Sequence, residues 1–103
     1  MTPTKSEVVA VLKRSNPTAK EQSIQLYAQC FVEYVEAQAN IEEHGTVCAH
    51  PRTGQPMENP YCRVKSQAMS NMSKMLKQLD SDPLWKWMEI QNAPALDEDE
   101  DDA

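Results

Sequence analysis

Glycine is almost absent from this 103-residue chain, which contains only Gly45 and Gly54. A phosphate-binding loop of the P-loop type needs two glycines at a fixed spacing before a lysine, and no such pattern occurs. Catalysis by a cysteine and a histidine would require an orienting third group and a pocket, which a pair of long helices does not provide. We therefore expect a protein that is not an enzyme and that binds no cofactor.

Long apolar runs are also missing. No stretch approaches the roughly 20 consecutive apolar residues that a membrane-spanning helix needs, and no apolar segment follows a positively charged start, as in a secretion signal. The three cysteines are an odd number, which argues against a disulfide framework. We expect a soluble, intracellular protein that does not contact a membrane.

Histidines and cysteines are too irregularly spaced to predict a zinc site. The candidate ligands His44, Cys48, His50 and Cys62 follow the spacing H-x3-C-x-H-x11-C. Structural zinc sites usually show paired ligands that are close in sequence. We therefore expect no metal, and a zinc-dependent module remains an alternative that bound metal would reveal.

The net charge of −6 is unevenly distributed. Six of the sixteen acids lie between Asp97 and Asp102, so the other ten acids balance the ten lysines and arginines. Between Glu21 and Glu43 there are five acids and no base, whereas residues 61–79 carry four bases and no acid. This sorting indicates one acidic and one basic element.

The longest predicted element is a helix from Pro17 to His44. Proline is well tolerated at the first helical position, and Ser15 or Asn16 can cap the start. Gly45 is placed to end the helix, because glycine readily adopts the conformation that a helix exit often needs. Apolar residues recur every three or four positions, as in a helix with one buried face. The residues predicted to pack on this face are Ile24, Tyr27, Phe31, Tyr34 and Ile41.

A second helix is predicted from Pro60 to Leu79. Its apolar positions step by sevens, fours and threes, which is typical of a coiled-coil seam. The stretch between the two helices indicates a short loop or a β-hairpin, so the helices fold back antiparallel. The expected fold class is all-α, a long antiparallel helical hairpin with a short helix at each end. The residues predicted to pack along the second helix are Ala68, Met72, Met75 and Leu79.

Opposite charges on the two helices have two possible roles. Fold-back would bring Glu42 and Glu43 near Arg63 and Lys65. Each exposed ion pair contributes only ~0.2–1 kcal/mol, so apolar packing must supply most of the stability. The charges would select register within the chain, or they would pair one subunit with the next.

A short basic helix is predicted before the hairpin. Thr4 and Glu7 have the spacing of a capping box, and apolar residues follow as far as Leu12. A helix this short is marginal in isolation. It either docks on the hairpin or contacts DNA.

A short helix is also predicted after the hairpin, from Pro83 to about Gln91. Leu84, Trp87 and Met88 share one face, and Trp85 is expected to point partly away from it. Tryptophans of a short helix need cover from other apolar groups. They either dock on the hairpin or form a surface for a partner.

These elements divide the chain into three regions. We expect a short basic N-terminal helix (residues 1–15), a helical-hairpin oligomerisation core (residues 16–92) and a disordered acidic tail (residues 93–103). Two long helices bury little core, so oligomerisation is a natural supplement to their stability. The tail consists of alanine, proline and then acids, a composition typical of disorder.

The order of short motifs along the chain resembles that of a known family. The motifs are, in sequence, Thr18-Ala19-Lys20, Phe31 and Tyr34, Glu43-His44-Gly45, Glu58-Asn59-Pro60, Met75-Leu76-Lys77-Gln78-Leu79 and Pro83. Over about residues 17–88 the chain resembles the small subunit of tailed-bacteriophage terminases, in the short helical-hairpin family.

The resemblance implies a non-catalytic protein of the host bacterial cytoplasm that forms homo-oligomeric rings through its helical hairpin. Such a protein recognises double-stranded viral DNA at the start of genome packaging and delivers it to the terminase large subunit, which holds the ATPase and nuclease. The portal is a further candidate partner. Phosphate contact needs clustered lysine and arginine. The candidate DNA-binding residues are Lys5, Lys13, Arg14, Lys20 and Arg52, of which Arg52 could instead contact a neighbouring subunit or stay solvated.

The main alternative is a small acidic helical hairpin that acts as an adaptor or inhibitor and never meets DNA. Its acidic tail would then bind the protein partner. In a terminase subunit the same tail would dock on a basic surface of the large subunit or portal, or would shield the basic helix until DNA displaces it. The candidate partner-binding residues are Trp85, Trp87, Asp97, Glu98, Asp99 and Glu100.

Overall fold

Residues 3–92 are described in the computed structural model of the chain. In this part of the chain the elements are α1 (Lys5–Ser15), α2 (Glu21–His44), β1 (Val47–Ala49), β2 (Pro56–Glu58), α3 (Pro60–Lys74) and α4 (Asp82–Asn92). Helix α2 packs along α3. The predicted all-α helical hairpin is therefore confirmed, with a β-hairpin as its connection. The predicted acidic tail, residues 93–103, lies outside the described residues.

Helix α1 begins with the predicted capping box. The Thr4 hydroxyl accepts a hydrogen bond from the Glu7 N–H (3.2 Å), and the Glu7 carboxylate accepts one from the Thr4 N–H (2.8 Å). Val8, Val11 and Leu12 are buried in the main core. The apolar side of α1 is thus docked, and its basic end remains at the surface.

The predicted start of the long helix at Pro17 is wrong, because α2 begins at Glu21. Asn16 does not cap α2. Its side chain donates to the backbone carbonyl of Asp80 (2.9 Å) and accepts from the backbone N–H of Asp80 (2.6 Å). These bonds tie the end of α1 to the connection between α3 and α4. The predicted end is confirmed: Gly45 has a φ of 82° and its N–H bonds to the Ile41 carbonyl at 2.7 Å.

The connection between α2 and α3 is a short antiparallel β-hairpin. Val47 lies opposite Glu58, and Ala49 lies opposite Pro56. Gly54 has a φ of 75°, a left-handed conformation that costs glycine little. This conformation lets the chain reverse direction within a few residues.

Asn59 joins three parts of the hairpin. Its side-chain oxygen accepts from the Tyr61 N–H (2.9 Å) and so caps α3. Its amide nitrogen donates to the Asn40 side chain and to the Gly45 carbonyl, both at 2.9 Å. Asn59 is buried, so each of these bonds replaces a bond to water that burial removes.

Replacement of Asn59 by alanine should lower the free energy of unfolding by about 2–3 kcal/mol, because the cap and both donor bonds are removed. Urea denaturation followed by circular dichroism measures the change. The control is Asn59→Ser, which keeps a cap acceptor and should recover part of the stability. A fully stable Asn59→Ala variant would contradict this role.

Helix α3 ends five residues before the predicted end. Its last residue is Lys74, and residues 75–78 form a turn. Met75 and Leu79 are nevertheless buried. The apolar spacing therefore continues through a segment that is no longer α-helical, which explains why the sequence predicted a longer helix.

The main core lies where α1 and α4 pack against the N-terminal half of α2 and the C-terminal end of α3. Its largest fully buried side chains are Tyr27, Phe31, Leu12, Leu84 and Val8. Of the residues predicted to pack along the hairpin, seven are buried and two are half-buried. The half-buried residues are Tyr34 and Ile41, and the buried ones are Ile24, Tyr27, Phe31, Ala68, Met72, Met75 and Leu79.

Trp85, which the helical spacing turns partly away from the face of Leu84, Trp87 and Met88, is half-buried and also contacts the core. Its ring packs edge-on against Phe31, with 4.7 Å between ring centroids, and against Tyr34 at 5.7 Å. Its indole N–H donates to the hydroxyl of the buried Tyr27 (3.2 Å). Docking of α4 on the hairpin is therefore found, and Trp85 is one of its main contacts.

The expected ion pairs of Glu42 and Glu43 with Arg63 and Lys65 do not form. Among residues 3–92, carboxylates pair with bases only between Lys13 and Glu21 (3.1 Å) and between Glu43 and His44 (3.3 Å). The Lys65 ammonium instead lies 5.9 Å from the centroid of the Tyr34 ring. Exposed ion pairs are weak, so apolar packing holds α2 against α3 without them.

Candidate nucleic-acid interface

The turn between α1 and α2 gathers exposed positive charge at one end of the molecule. Lys13 and Arg14 end α1, and Lys20 immediately precedes α2. The connection after α3 reaches the same end, because the Ser23 hydroxyl donates to the side chain of Gln78 (2.7 Å) and thereby holds the neighbouring Lys77 nearby. We call Lys13, Arg14, Lys20 and Lys77 the basic corner.

One base of the basic corner is partly neutralised. The Lys13 ammonium lies 3.1 Å from the Glu21 carboxylate. A hydrogen bond from Gln25 and a second one from Lys13 hold the pKa of Glu21 below its ordinary value, so Glu21 stays ionised at neutral pH. Within residues 3–92, Arg14 and Lys20 have no carboxylate partner within 4 Å. These two side chains are therefore the most available to bind phosphate.

The other two candidate DNA-binding residues lie elsewhere. Lys5 is at the opposite end of α1 and borders a shallow groove with Leu26 and Gln29 of α2. Arg52 lies in the turn of the β-hairpin, where its backbone N–H donates to the His50 ring (3.1 Å). Helix α2, 24 residues long, separates this turn from the basic corner by roughly 36 Å. The structure thus brings together three of the five candidates and leaves two apart.

The candidate partner-binding residues are also dispersed. Trp85 is packed between the helices of the core, and only part of it reaches the surface. Trp87 is half-buried and lies with Met88 beside Pro3 and Glu7, at the start of α1. The acidic residues 97–100 lie outside the described residues. A partner that uses the tryptophans would have to contact their exposed edges.

An apolar cleft that the sequence did not single out lies between α2, α3 and α4. It has a volume of about 180 Å³, and its lining includes Tyr34, Met69, Leu76 and Trp85. Met69 and Leu76 are 48% and 58% exposed. Met69 and Leu76 lie beside the apolar positions that the sequence predicts to pack along α3. Their apolar character next to that row is the sequence signal from which the cleft could have been predicted. The cleft offers shape and apolar contact rather than groups for catalysis.

The four candidate zinc ligands are not brought together. Among residues 3–92, no three histidine, cysteine or acidic side chains lie close enough to share a metal ion. The remaining cysteine, Cys30, is buried against α3, and this burial raises the pKa of its thiol. Within the same range, none of the helices combines the length and apolar character that crossing a bilayer requires.

Comparison with known proteins identifies one family. A family model described as the small subunit of phage terminase matches residues 6–84, which include all but the first residue of α1, the whole hairpin and the start of α4. No curated protein and no solved structure matches the chain. The match begins earlier than the resemblance noted from sequence motifs, which started near residue 17, so the short basic helix is part of the family pattern. The chain therefore belongs to the phage terminase small-subunit family.

Proposed function

We propose that this protein is a non-catalytic terminase subunit that oligomerises, binds double-stranded viral DNA and presents it to the large subunit for genome packaging. Family membership supports a role in phage packaging. The finer steps rest on the surfaces described above. The observation that carries the DNA-binding step is the basic corner, in which Arg14 and Lys20 lie exposed without carboxylate partners among the described residues.

Phosphate binding by the basic corner follows from its charge and position. The DNA backbone is a dense line of negative charge, and lysine and arginine bind it by displacing counterions. The four bases of the corner lie on the exposed surface of one end of the molecule. One copy offers few contacts, but several copies side by side would repeat these contacts along the DNA.

Oligomerisation is supported by the part of the hairpin that α1 and α4 do not cover. We call residues 36–67 the distal arm. Apart from Ala37, the buried residues of α2 all lie between Ser23 and Phe31, outside this arm. Tyr61 and Val64 are exposed on the arm, and the β-hairpin exposes Val47 at 60%. Contact with other copies would remove this apolar surface from water and stabilise a thin two-helix arm.

These surfaces assign a different role to each part of the chain. The helical hairpin would assemble the subunits, and the basic end of α1 would face DNA. The acidic tail would dock on a basic surface of the large subunit or portal, or would cover the basic corner until DNA displaces it. Charge complementarity is the support for both roles of the tail.

Affinity for DNA should fall steeply with salt if the basic corner makes the contacts. Fluorescence anisotropy of a labelled double-stranded fragment, titrated with the full chain at increasing sodium chloride, measures this. The logarithm of the affinity should decrease linearly with the logarithm of salt, with a slope of about −0.9 for each phosphate contacted. An affinity for DNA that does not change with salt concentration, or an absence of binding at low salt, would rule out the proposed DNA contact.

A further inference from the structure

Glu36 on α2 and Arg63 on α3 lie in the distal arm, and neither has an ion-pair partner among residues 3–92. The α2 sequence from Glu21 to Glu43 contains five acids and no base, and residues 61–79 contain four bases and no acid. Glu36 and Arg63 are both exposed, and among the described residues no ion pair joins α2 to α3. These charges are therefore available to a second molecule.

Glu36 and Arg63 lie on opposite flanks of the arm. Successive residues of an α-helix are rotated by about 100°. Glu36 is therefore about 120° around α2 from Cys30, which contacts Asn71 of α3. By the same count Arg63 is about 140° around α3 from the buried Ala68. One flank of the arm is thus acidic and the other is basic.

Glu36 and Arg63 also lie at nearly the same height along the arm. A hydrogen bond between Asn40 and Asn59 (2.9 Å) aligns α2 with the start of α3. A second one, between Ser23 and Gln78 (2.7 Å), joins α2 to the turn that follows α3. Counting along the antiparallel chain from the Asn40–Asn59 bond places Glu36 level with Arg63, and counting from the Ser23–Gln78 bond places it level with Lys65, two residues or about 3 Å away. A neighbour displaced sideways, without moving up or down, would therefore bring its Arg63 to this glutamate.

This distribution of charge discriminates between ways of packing two copies. A two-fold contact of α2 with α2 would oppose acids, and a contact of α3 with α3 would oppose bases. A contact of α2 in one copy with α3 in the next opposes unlike charges. Such a contact uses two different surfaces of each chain, and repetition of it closes into a ring when neighbours stay level.

We propose that the flank of α2 around Glu36 packs against the flank of α3 around Arg63 in a second copy of the chain. The Glu36–Arg63 pair sets the height of each copy relative to the next. An exposed pair is weak, so its role is to select the arrangement, while the apolar surface of the arm supplies affinity. This inference rests on the self-association in the proposed function and names the surfaces that carry it.

Charge reversal at the two positions tests the pairing. Glu36→Arg and Arg63→Glu should each raise the protein concentration at half-assembly on the order of tenfold, because attraction becomes repulsion at every interface. Glu89→Arg and Lys86→Glu are the matched controls: they make the same charge changes at exposed positions of α4 and should leave assembly unchanged. Sedimentation velocity over a concentration series gives the assembly state, and circular dichroism shows that each variant is folded.

Two rescue experiments separate pairing between copies from a general effect of charge. The double variant Glu36→Arg/Arg63→Glu should assemble at nearly the native concentration. A mixture of the two single variants should also assemble, because each α2–α3 contact between unlike chains restores opposite charges. Such mixed assemblies should contain only even numbers of subunits, which native mass spectrometry counts.

The outcomes distinguish this inference from the function on which it rests. Native protein that assembles, with single reversals that assemble equally well or a double variant no better than the singles, would overturn the pairing and leave self-association intact. Native protein that stays monomeric would overturn both. Rescue by the double variant and by mixing would establish the α2–α3 contact between copies.

Discussion

Replacement of Phe31 by alanine is expected to lower the free energy of unfolding by about 3–5 kcal/mol. Phe31 is fully buried at the centre of the core and lies 4.7 Å, centroid to centroid, from the Trp85 ring. Its removal leaves a cavity where α4 docks on the hairpin. Small domains are stable by only about 5–15 kcal/mol, so this one change removes a large share of the total.

Urea denaturation followed by helical circular dichroism and tryptophan fluorescence measures this effect. Leu26→Ala is the matched control, because Leu26 lies on the same helix and is 60% exposed. The control should stay within about 0.5 kcal/mol of the native protein. A Phe31→Ala variant with native stability would show that α4 does not dock on α2 as described.

Neutralising Arg14 and Lys20 together is expected to weaken DNA binding on the order of 50-fold at low salt. Both side chains are exposed and have no carboxylate partner among the described residues, whereas Lys13 is engaged by Glu21. The effect should be large because every copy in the proposed assembly would lack both bases. The slope of affinity against salt should also become shallower by about one unit for each phosphate that the variant no longer binds.

The matched control for Arg14→Gln/Lys20→Gln is Lys86→Glu, which changes the net charge by the same amount on α4. The control should keep its affinity within about twofold if position, rather than total charge, governs binding. Equal weakening in the two variants would assign DNA binding to overall charge. An unchanged affinity in the double variant would remove the basic corner from the DNA-binding surface.

Local signals in the sequence predicted much of the architecture. The Thr4–Glu7 capping box, the exit at Gly45 and the Asn59-Pro60 start each act within one helical turn. Because such signals depend on near neighbours, they can be interpreted without knowledge of the fold. Of the apolar positions predicted to pack along α2 and α3, seven are buried, and Tyr34 and Ile41 are half-buried.

Contacts between distant parts of the chain account for what the sequence did not predict. Asn16 bonds to Asp80, 64 residues away, so its role as a cap for α2 could not be judged from its surroundings. The contact of Trp85 with the core depends on the angle at which α4 crosses Phe31 and Tyr34. Helical periodicity gives the face of a residue on its own helix, but it does not give the placement of that helix on others.

The sequence predicted which residues could bind DNA, but it did not predict how they are arranged on the surface. The sequence shows that Lys13, Arg14 and Lys20 are close along the chain, and the turn between α1 and α2 keeps them together. The sequence alone cannot show that the turn after α3 brings Lys77 to the same end of the molecule, or that Arg52 lies at the other end. Those placements follow from the length of α2 and the antiparallel return of α3.

The mass of the full chain in solution tests the central claim most directly. We expect that a hairpin with uncovered apolar surface and oppositely charged flanks assembles with copies of itself, and that this assembly repeats the basic corner to form a DNA-binding surface. Native mass spectrometry at micromolar concentration should show a closed assembly of several 11.7 kDa chains. A single species of 11.7 kDa at every concentration would contradict the account.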